Sequence, residues 1–343
     1  PMRVESVAWI SERKDVLSGI FIFVCLILYY LWASRKIRES GRRGSGWVYW
    51  GALLAFTAGC LAKPTTVVLP GLLVLLDVWP LRRIELTAGW SSALTIMTRQ
   101  AKGKWPFLLV VAGVSGVSIY LQYAGSHGDF MASIGFTRRM IEMPALVLYY
   151  LERTLLPFEL FPNYPRYPHA FLLYSVSAVA VLATISVSVW RYRKICPALA
   201  FGWVWFLLCL IPVLGIVYVG SSFSSDRYTY IAHCGLAFGI GQGLYTVAAS
   251  RPKLQLPGFA LTLCLVLMMG LLSFRQVAVW KDTGALFRYG VQAQPNSTSA
   301  WNNLGAYYDA EAQPEKALEC FRVALTIRKD HDVYYNIGLI LGK

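Results

Sequence analysis

Residues 16–34, VLSGIFIFVCLILYYLWAS, decide the fold class. These nineteen positions hold no Lys, Arg, Asp or Glu. A helix of about 20 mostly apolar residues is what crosses the ~30 Å hydrocarbon core of a bilayer. Charge returns at both ends, as Arg13-Lys14-Asp15 before the run and Arg35-Lys36 after it. Outward from it, apolar runs at 47–62, 65–80, 105–122, 171–190, 198–218, 228–248 and 256–273 read as further spans, eight in all. The second and third are short and meet at Lys63-Pro64. This is a tight hairpin whose Pro breaks the helix and whose Lys lies at an interface.

Composition agrees. Of 343 residues, 56% are hydrophobic and 15% charged, with a mean hydropathy of +0.49; soluble domains carry about 25% charge. An ordinary water-soluble enzyme and a disordered chain are both excluded. The net charge of +14 belongs to cytoplasmic loops in a membrane protein, and no nucleic-acid partner is expected. The seven cysteines (Cys25, Cys60, Cys196, Cys209, Cys234, Cys264, Cys320) form no CxxC pair and read as small apolar residues. His127, His169, His233 and His331 lack metal-site spacing, so no metal centre is expected. The chain opens without Met and stops inside a helical pattern. It reads as a fragment of a longer protein, with no cleavable signal peptide.

Orientation follows from Lys/Arg placement. One set of loops carries fifteen positives: Arg35, Lys36, Arg38, Arg42, Arg43, Arg82, Arg83, Arg99, Lys102, Lys104, Arg191, Arg193, Lys194, Arg251 and Lys253. Against them stand only Glu39 and Glu85, with Asp77 at a span end left aside. The other set mixes nine positives, among them Arg13, Lys14, Lys63 and Arg227, with eight acids, among them Glu5, Glu12, Asp15, Asp129 and Asp226. The first set is assigned to the cytoplasm. The second, with the tail after 273, is assigned to periplasm or organelle lumen. The stretch 138–160 carries Glu142, Glu152 and Arg153; counting it as a span would put Arg191–Lys194 outside. It is read as a helix on the outer face, leading into the aromatic-proline loop Phe161-Pro162-Asn163-Tyr164-Pro165-Arg166-Tyr167-Pro168.

Residues 280–343 change character and carry no long apolar run. Trp301-x2-Leu304-Gly305-x2-Tyr308, followed by Ala317-x3-Phe321-x2-Ala324, is the tetratricopeptide spacing. Gly305, Ala317 and Ala324 permit close helix packing, while Trp301, Leu304, Tyr308 and Phe321 fill the gap between paired helices. Phe287 lies 34 residues before Phe321, and Tyr334-x2-Ile337-Gly338 repeats the first motif after 33. Residues 280–294 read as a lone second helix joining the last span to the array. Lys329 stands where such repeats often place Pro. Arrays of this kind bind proteins and do no chemistry themselves. Asn296-Ser297-Thr298 is an N-x-T sequon, too common a triplet to carry an argument. The domains expected are a multi-span part, 1–274, and a linker helix with repeats, 275–343.

Catalysis at a membrane edge needs polar groups facing a cavity, and three outer clusters qualify. They are Glu5 to Asp15, Lys63-Pro64, and Ser225-Asp226-Arg227-Tyr228-Thr229-Tyr230. They offer carboxylates as bases and cations for a phosphate. The plainer reading is that Asp226-Arg227 is a local ion pair and Arg13-Lys14-Asp15 an interfacial anchor beside a helix N-terminus. His233 and Gln242 lie within a span, where a helix–helix hydrogen bond is the ordinary role.

At these residues the sequence resembles a known family. The run from Val4 to Ser18, with Glu5, Trp9, Glu12, Arg13, Lys14 and Asp15, is similar to a signature of the transmembrane and tetratricopeptide-repeat O-mannosyltransferases that target cadherins, and of their bacterial relatives. Ala62-Lys63-Pro64, Leu76-Asp77-Val78-Trp79-Pro80-Leu81, Asn163-Tyr164-Pro165 and Ser225 to Tyr230 look like further blocks of it, in order. The resemblance implies an all-α, polytopic bundle of the GT-C type followed by a tetratricopeptide solenoid. It implies transfer of mannose or another hexose from a polyprenyl-phosphate carrier to protein Ser/Thr hydroxyls, with inversion. Related enzymes carry further spans upstream and an acidic first outer loop; the His-Pro pair that opens the first block survives here only as Pro1. A divalent metal would depend on that loop, and the stretch alone is expected to be inactive.

Carried onto this chain, Glu5 and Asp226 are the candidate catalytic carboxylates, expected to orient the cations, bind sugar hydroxyls or contribute to the acidic centre. Arg13, Lys14, Lys63 and Arg227 hold the carrier phosphate, and Tyr164, Tyr228 and Tyr230 bound the sugar pocket. The repeats hold the acceptor protein. The membrane is expected to be the bacterial inner membrane, with the endoplasmic reticulum as the alternative. Two other classes compete. A catalytically inert, membrane-anchored scaffold has no need for these charges to converge, and a transporter needs polar residues through the bilayer midplane.

Overall fold

Every element among the described residues of the computed structural model is helical. Those residues are 1–38, 46–84, 103–124, 135–162, 164, 171–215 and 224–342. Glu39, Arg42, Arg43, Glu85, Arg99, Lys102, His127, Asp129, Arg166, His169 and most of the aromatic-proline loop lie outside them, as do 216–218 of the expected sixth span.

A short helix, α1 (Val4–Ala8), and a 3₁₀ turn (Ile10–Glu12) lead into α2 (Arg13–Arg38). Ile22, Cys25, Leu26, Tyr29 and Ala33 are buried, at the spacing that makes one helical face. Leu17, Ile20, Val24, Ile27 and Leu31 are exposed on the others. A helix apolar on every side belongs in a large core or in lipid. Its partner α3 (Gly46–Ala62) ends at Lys63, which is extended because Pro64 follows. A 3₁₀ turn (Pro64–Val68) and α4 (Leu69–Val78) then return.

At the far end of α2 a buried carboxylate ties three elements together. Asp77, at the end of α4, accepts from Tyr29 Oη of α2 at 2.8 Å, from Arg83 at 2.8 Å and from Lys104 Nζ at 2.5 Å. Lys104 stands just before α5 (Trp105–Ala124). The span-end acid that charge counting set aside is thus the acceptor at the centre of this corner.

The helix expected on the outer face is α6 (Phe136–Leu155). It buries Ala145, Leu146, Val147, Tyr149 and Tyr150, exposes Phe136, Ile141 and Leu155, and contains Pro144. Next come α7 (Phe171–Tyr192) and α8 (Pro197–Leu210), after which Pro212 falls in a 3₁₀ turn. The next helix, α9, runs Ala232–Ser250, starting later than expected because 226–229 form a 3₁₀ turn. It crosses α8 at glycines. A Cβ on Gly202 would meet the Gly235 carbonyl oxygen and lie 3.0 Å from Gly239 Cα, so the two backbones touch.

Among the described residues, three segments are long and apolar enough to cross a membrane: Ile10–Arg35, Leu172–Tyr192 and Pro252–Val279. The expected spans at 47–62, 65–80, 105–122 and 198–218 fall on shorter apolar helices. Helix α10 (Gln255–Val279) buries no residue at all.

The tail stacks four helices: α11 (Thr283–Ala293), α12 (Thr298–Ala310), α13 (Pro314–Ile327) and α14 (His331–Leu341). Asp282 and Ser297 cap α11 and α12 by accepting from Ala285 N and Ala300 N, and Asp330 caps α14. Ala317, Phe321, Ala324 and Val333 form the buried centre, with Trp301 and Tyr308 packed on it and Leu304 buried nearby. A Cβ on Gly305 would come within 2.6 Å of the Phe321 ring. Asn302 and Asn336, 34 positions apart, hydrogen-bond across the stack at 3.0 Å. The tail meets the rest through the Phe161–Phe287 ring contact and the close approach of Gly290 to the Phe161 ring, while on α10 Gln276 Nε2 donates to Leu160 O at 3.1 Å.

Candidate functional site

Three local breaks in the helices and the first turn of α2 bring the charged residues together. Trp9 is extended between α1 and the 3₁₀ turn that carries Glu12. Asp15 stands in the first turn of α2, where a carboxylate complements the helix dipole. Lys63 is the extended residue at the hairpin tip. Ser225 is extended before the Asp226–Thr229 turn, and its Oγ donates to Pro162 O at 2.7 Å. Thr229 Oγ1 closes the turn by donating to Asp226 O at 2.7 Å.

A cleft of about 450 Å³, including its open mouth, lies between these breaks. Lys63, Arg227, Tyr228 and Tyr230 line it, with Asp15, Ser18, Thr65 and Thr66 as its other polar walls. Lys63 Nζ is paired with Asp15 Oδ1. The second Asp15 oxygen accepts from Ser6 Oγ at 2.9 Å. Arg227 is held more tightly: its guanidinium meets Glu5 Oε1 at 2.6 Å, its backbone N–H donates to Glu5 Oε2 at 3.0 Å, and Glu12 lies 3.5 Å from its Nε. Its guanidinium also lies over the Trp9 ring at 5.5 Å and the Tyr228 ring at 5.3 Å.

The other expected site residues are placed differently. Glu5 is buried behind Arg227 and does not border the cleft. Asp226 is buried one layer further in; its Oδ2 accepts from Tyr164 Oη at 2.9 Å, while Oδ1 has no protein partner. Tyr164 Oη accepts from Phe161 N at 3.0 Å and does not face the cleft. Arg13 and Lys14 are exposed, Lys14 lying 3.5 Å from Glu12. The expected phosphate cations therefore divide into two that meet in the cleft and two on the surface beside it. Asp15, Glu12 and Ser6 were not among the expected site residues. Their positions inside the first motif were the available signal.

Burial controls the titration of the inner acids. It pushes Glu5 up to about 7, with the Arg227 charge and hydrogen bonds offsetting only part of the effect. Asp226 is pushed well above the usual carboxylate range by burial, then by the nearby Glu5. Tyr164 is raised by burial and by Asp226. Among the described residues no three His, Cys, Asp or Glu side chains stand together as a metal site.

Comparison of the chain with protein-family models, curated proteins and solved structures returns no match.

Proposed function

We propose that the protein is a membrane glycosyltransferase of the GT-C type. It moves a hexose, mannose by the sequence resemblance, from a polyprenyl-phosphate carrier to Ser/Thr hydroxyls of a protein. The observation that carries this reading is the meeting of Lys63 and Arg227, distant in sequence, in one cleft with Tyr228 and Tyr230. In the transfer, the bond from the sugar's anomeric carbon to the phosphate oxygen breaks and its electron pair leaves with the phosphate. Two cations beside that oxygen stabilise the charge it gains, and the tyrosines offer stacking faces and hydroxyls to the sugar. Glu5 orients Arg227, and Asp226 orients Tyr164. The acceptor oxygen bonds to the anomeric carbon from the opposite face as its O–H bond breaks, and the proton passes to water at the open mouth of the cleft.

The setting is a multi-pass membrane protein of the bacterial inner membrane, or alternatively of the endoplasmic reticulum. Three spanning-length apolar helices support this, and the span at Pro252–Val279 has none of its apolar window covered by protein. An uncovered apolar surface of that size is costly in water at about 25 cal/mol per Å². The tail helices are read as tetratricopeptide repeats that hold the acceptor protein in the periplasm or lumen.

The test is transfer of sugar from the lipid carrier by membranes containing the complete protein. Arg227→Ala and Lys63→Ala are each expected to lower it by roughly 100-fold or more, with expression retained. Unchanged transfer removes both residues from the mechanism. The scaffold reading draws on a different observation: both cations are already paired with carboxylates, as structural anchors are. It predicts no carrier-dependent transfer by the wild type at all.

A further inference from the structure

The two cleft cations are held in unequal ways. Arg227 has two bonds to Glu5, one through its backbone, with Glu12 beside it. Lys63, on a flexible four-carbon stem, has the single carboxylate of Asp15. Asp15 is itself fixed: only 1% of its side chain is exposed, and its other oxygen is occupied by Ser6 Oγ, which is fully buried on α1. Ser6, Asp15 and Lys63 thus form a chain that starts in the protein interior and ends at the cleft wall. Chains of this kind orient a functional group through a second layer.

We propose that Asp15 is the positioning residue of the cleft, holding Lys63 Nζ opposite Arg227 so that the two cations face one anionic group. Without the carboxylate, a lysine side chain that is 14% exposed has no charge partner in the cleft wall and turns outward to water. Ser6 acts one step further back, by fixing the carboxylate. The proposal rests on the reading of the cleft as a phosphate site only for the identity of the anion; the positioning of Lys63 can be measured without it.

Two measurements on the complete protein in detergent test this. The first is the rate at which an amine-reactive reagent modifies Lys63, read by mass spectrometry. Asp15→Asn and Ser6→Ala are expected to raise it several-fold, and Asp15→Glu to restore slow modification. The second is binding of geranyl phosphate, a short isoprenoid monophosphate. Asp15→Asn is expected to weaken it roughly tenfold, and the Asp15→Asn/Lys63→Ala pair to be no weaker than Lys63→Ala alone, because one residue acts through the other. Unchanged Lys63 modification in both Asp15→Asn and Ser6→Ala overturns the proposal, and so does an additive loss in the double variant. Tighter binding by Asp15→Asn also overturns it, since Asp15 would then be a competing anion. If modification responds as expected but the wild type binds no geranyl phosphate, the positioning stands and the phosphate-site reading falls.

Discussion

At the scale of single residues, Glu5 sits in an environment that its sequence neighbours do not suggest. It opens a motif rich in charge, yet it is buried beneath Arg227. Burial exceeds the attraction of that guanidinium and pushes the carboxyl up to about 7. An exposed Glu in the unfolded chain titrates near about 4.3. The fold therefore favours the protonated form. Its contribution to stability is complete below the unfolded value and is lost as pH rises through about 7. Asp226, also pushed up by burial and by Glu5 itself, acts with the same sign. The thermal midpoint of the wild type is expected to fall between about pH 5 and about pH 8. Glu5→Gln should flatten that slope, and Glu5→Gln/Asp226→Asn should flatten it further. A slope unchanged in the double variant would assign the effect to other groups. The three outer clusters made Glu5, Lys63 and Arg227 visible as a charged set in the sequence. They did not show which carboxylate would face which cation. That depends on α1 folding back to bring Ser6 and Glu5 against the ends of other elements, a tertiary event with no local signature.

At the scale of helices, most boundaries were legible because their causes are local. Lys63-Pro64 breaks α3 where the Pro excludes helical geometry before it, and the small and large positions of the tail settle into the buried cluster around Phe321. The late start of α9 was not legible, because side-chain bonds from Ser225 and Thr229 draw 226–229 into a tight turn that the apolar pattern does not reveal. The close crossing of α8 and α9 was missed too, although Gly235-x3-Gly239 is a small-residue spacing known to bring helices together. Here the demand is strict. The obstacle to a methyl group on Gly202 is backbone of α9, which no rotamer change can clear. Gly202→Ala is expected to cost roughly 1–3 kcal/mol, read as a lower thermal midpoint or loss of folded protein. Gly241, on the same helix α9 with open space around it, supplies the control. Gly241→Ala should be neutral or slightly stabilising, since Ala is the better helix former. Equal effects at both sites would mean that the crossing is looser than its geometry indicates.

At the scale of the whole molecule, α2 is a spacer between two ionic clusters. Asp15, near its start, belongs to the cleft. Tyr29, fourteen residues later, belongs to the corner built on Asp77, Arg83 and Lys104. At 1.5 Å per residue the two lie about 21 Å apart along the helix, with apolar side chains between them. Charge thus gathers at both ends of an apolar layer and is absent from the middle of α2. A multi-pass reading requires this pattern, whereas a transport path would need polar groups at depth. The ring of Trp280, which follows α10, lies 5.6 Å from that of Trp9. This puts the start of the tail on the cleft side, which the proposed function requires to face the periplasm or lumen. Exposed positions exist at both ends: Val7 beside the cleft and Arg82 beside the Asp77 corner. In a cysteine-free background, Val7→Cys should react with a membrane-impermeant maleimide added outside intact cells or sealed lumen-out vesicles. Arg82→Cys should react only after the membrane is opened. Because a lipid-borne sugar phosphate and its protein acceptor must meet on one side, a Val7→Cys that reacts only after the membrane is opened would separate the cleft from its proposed substrate and end the transferase reading.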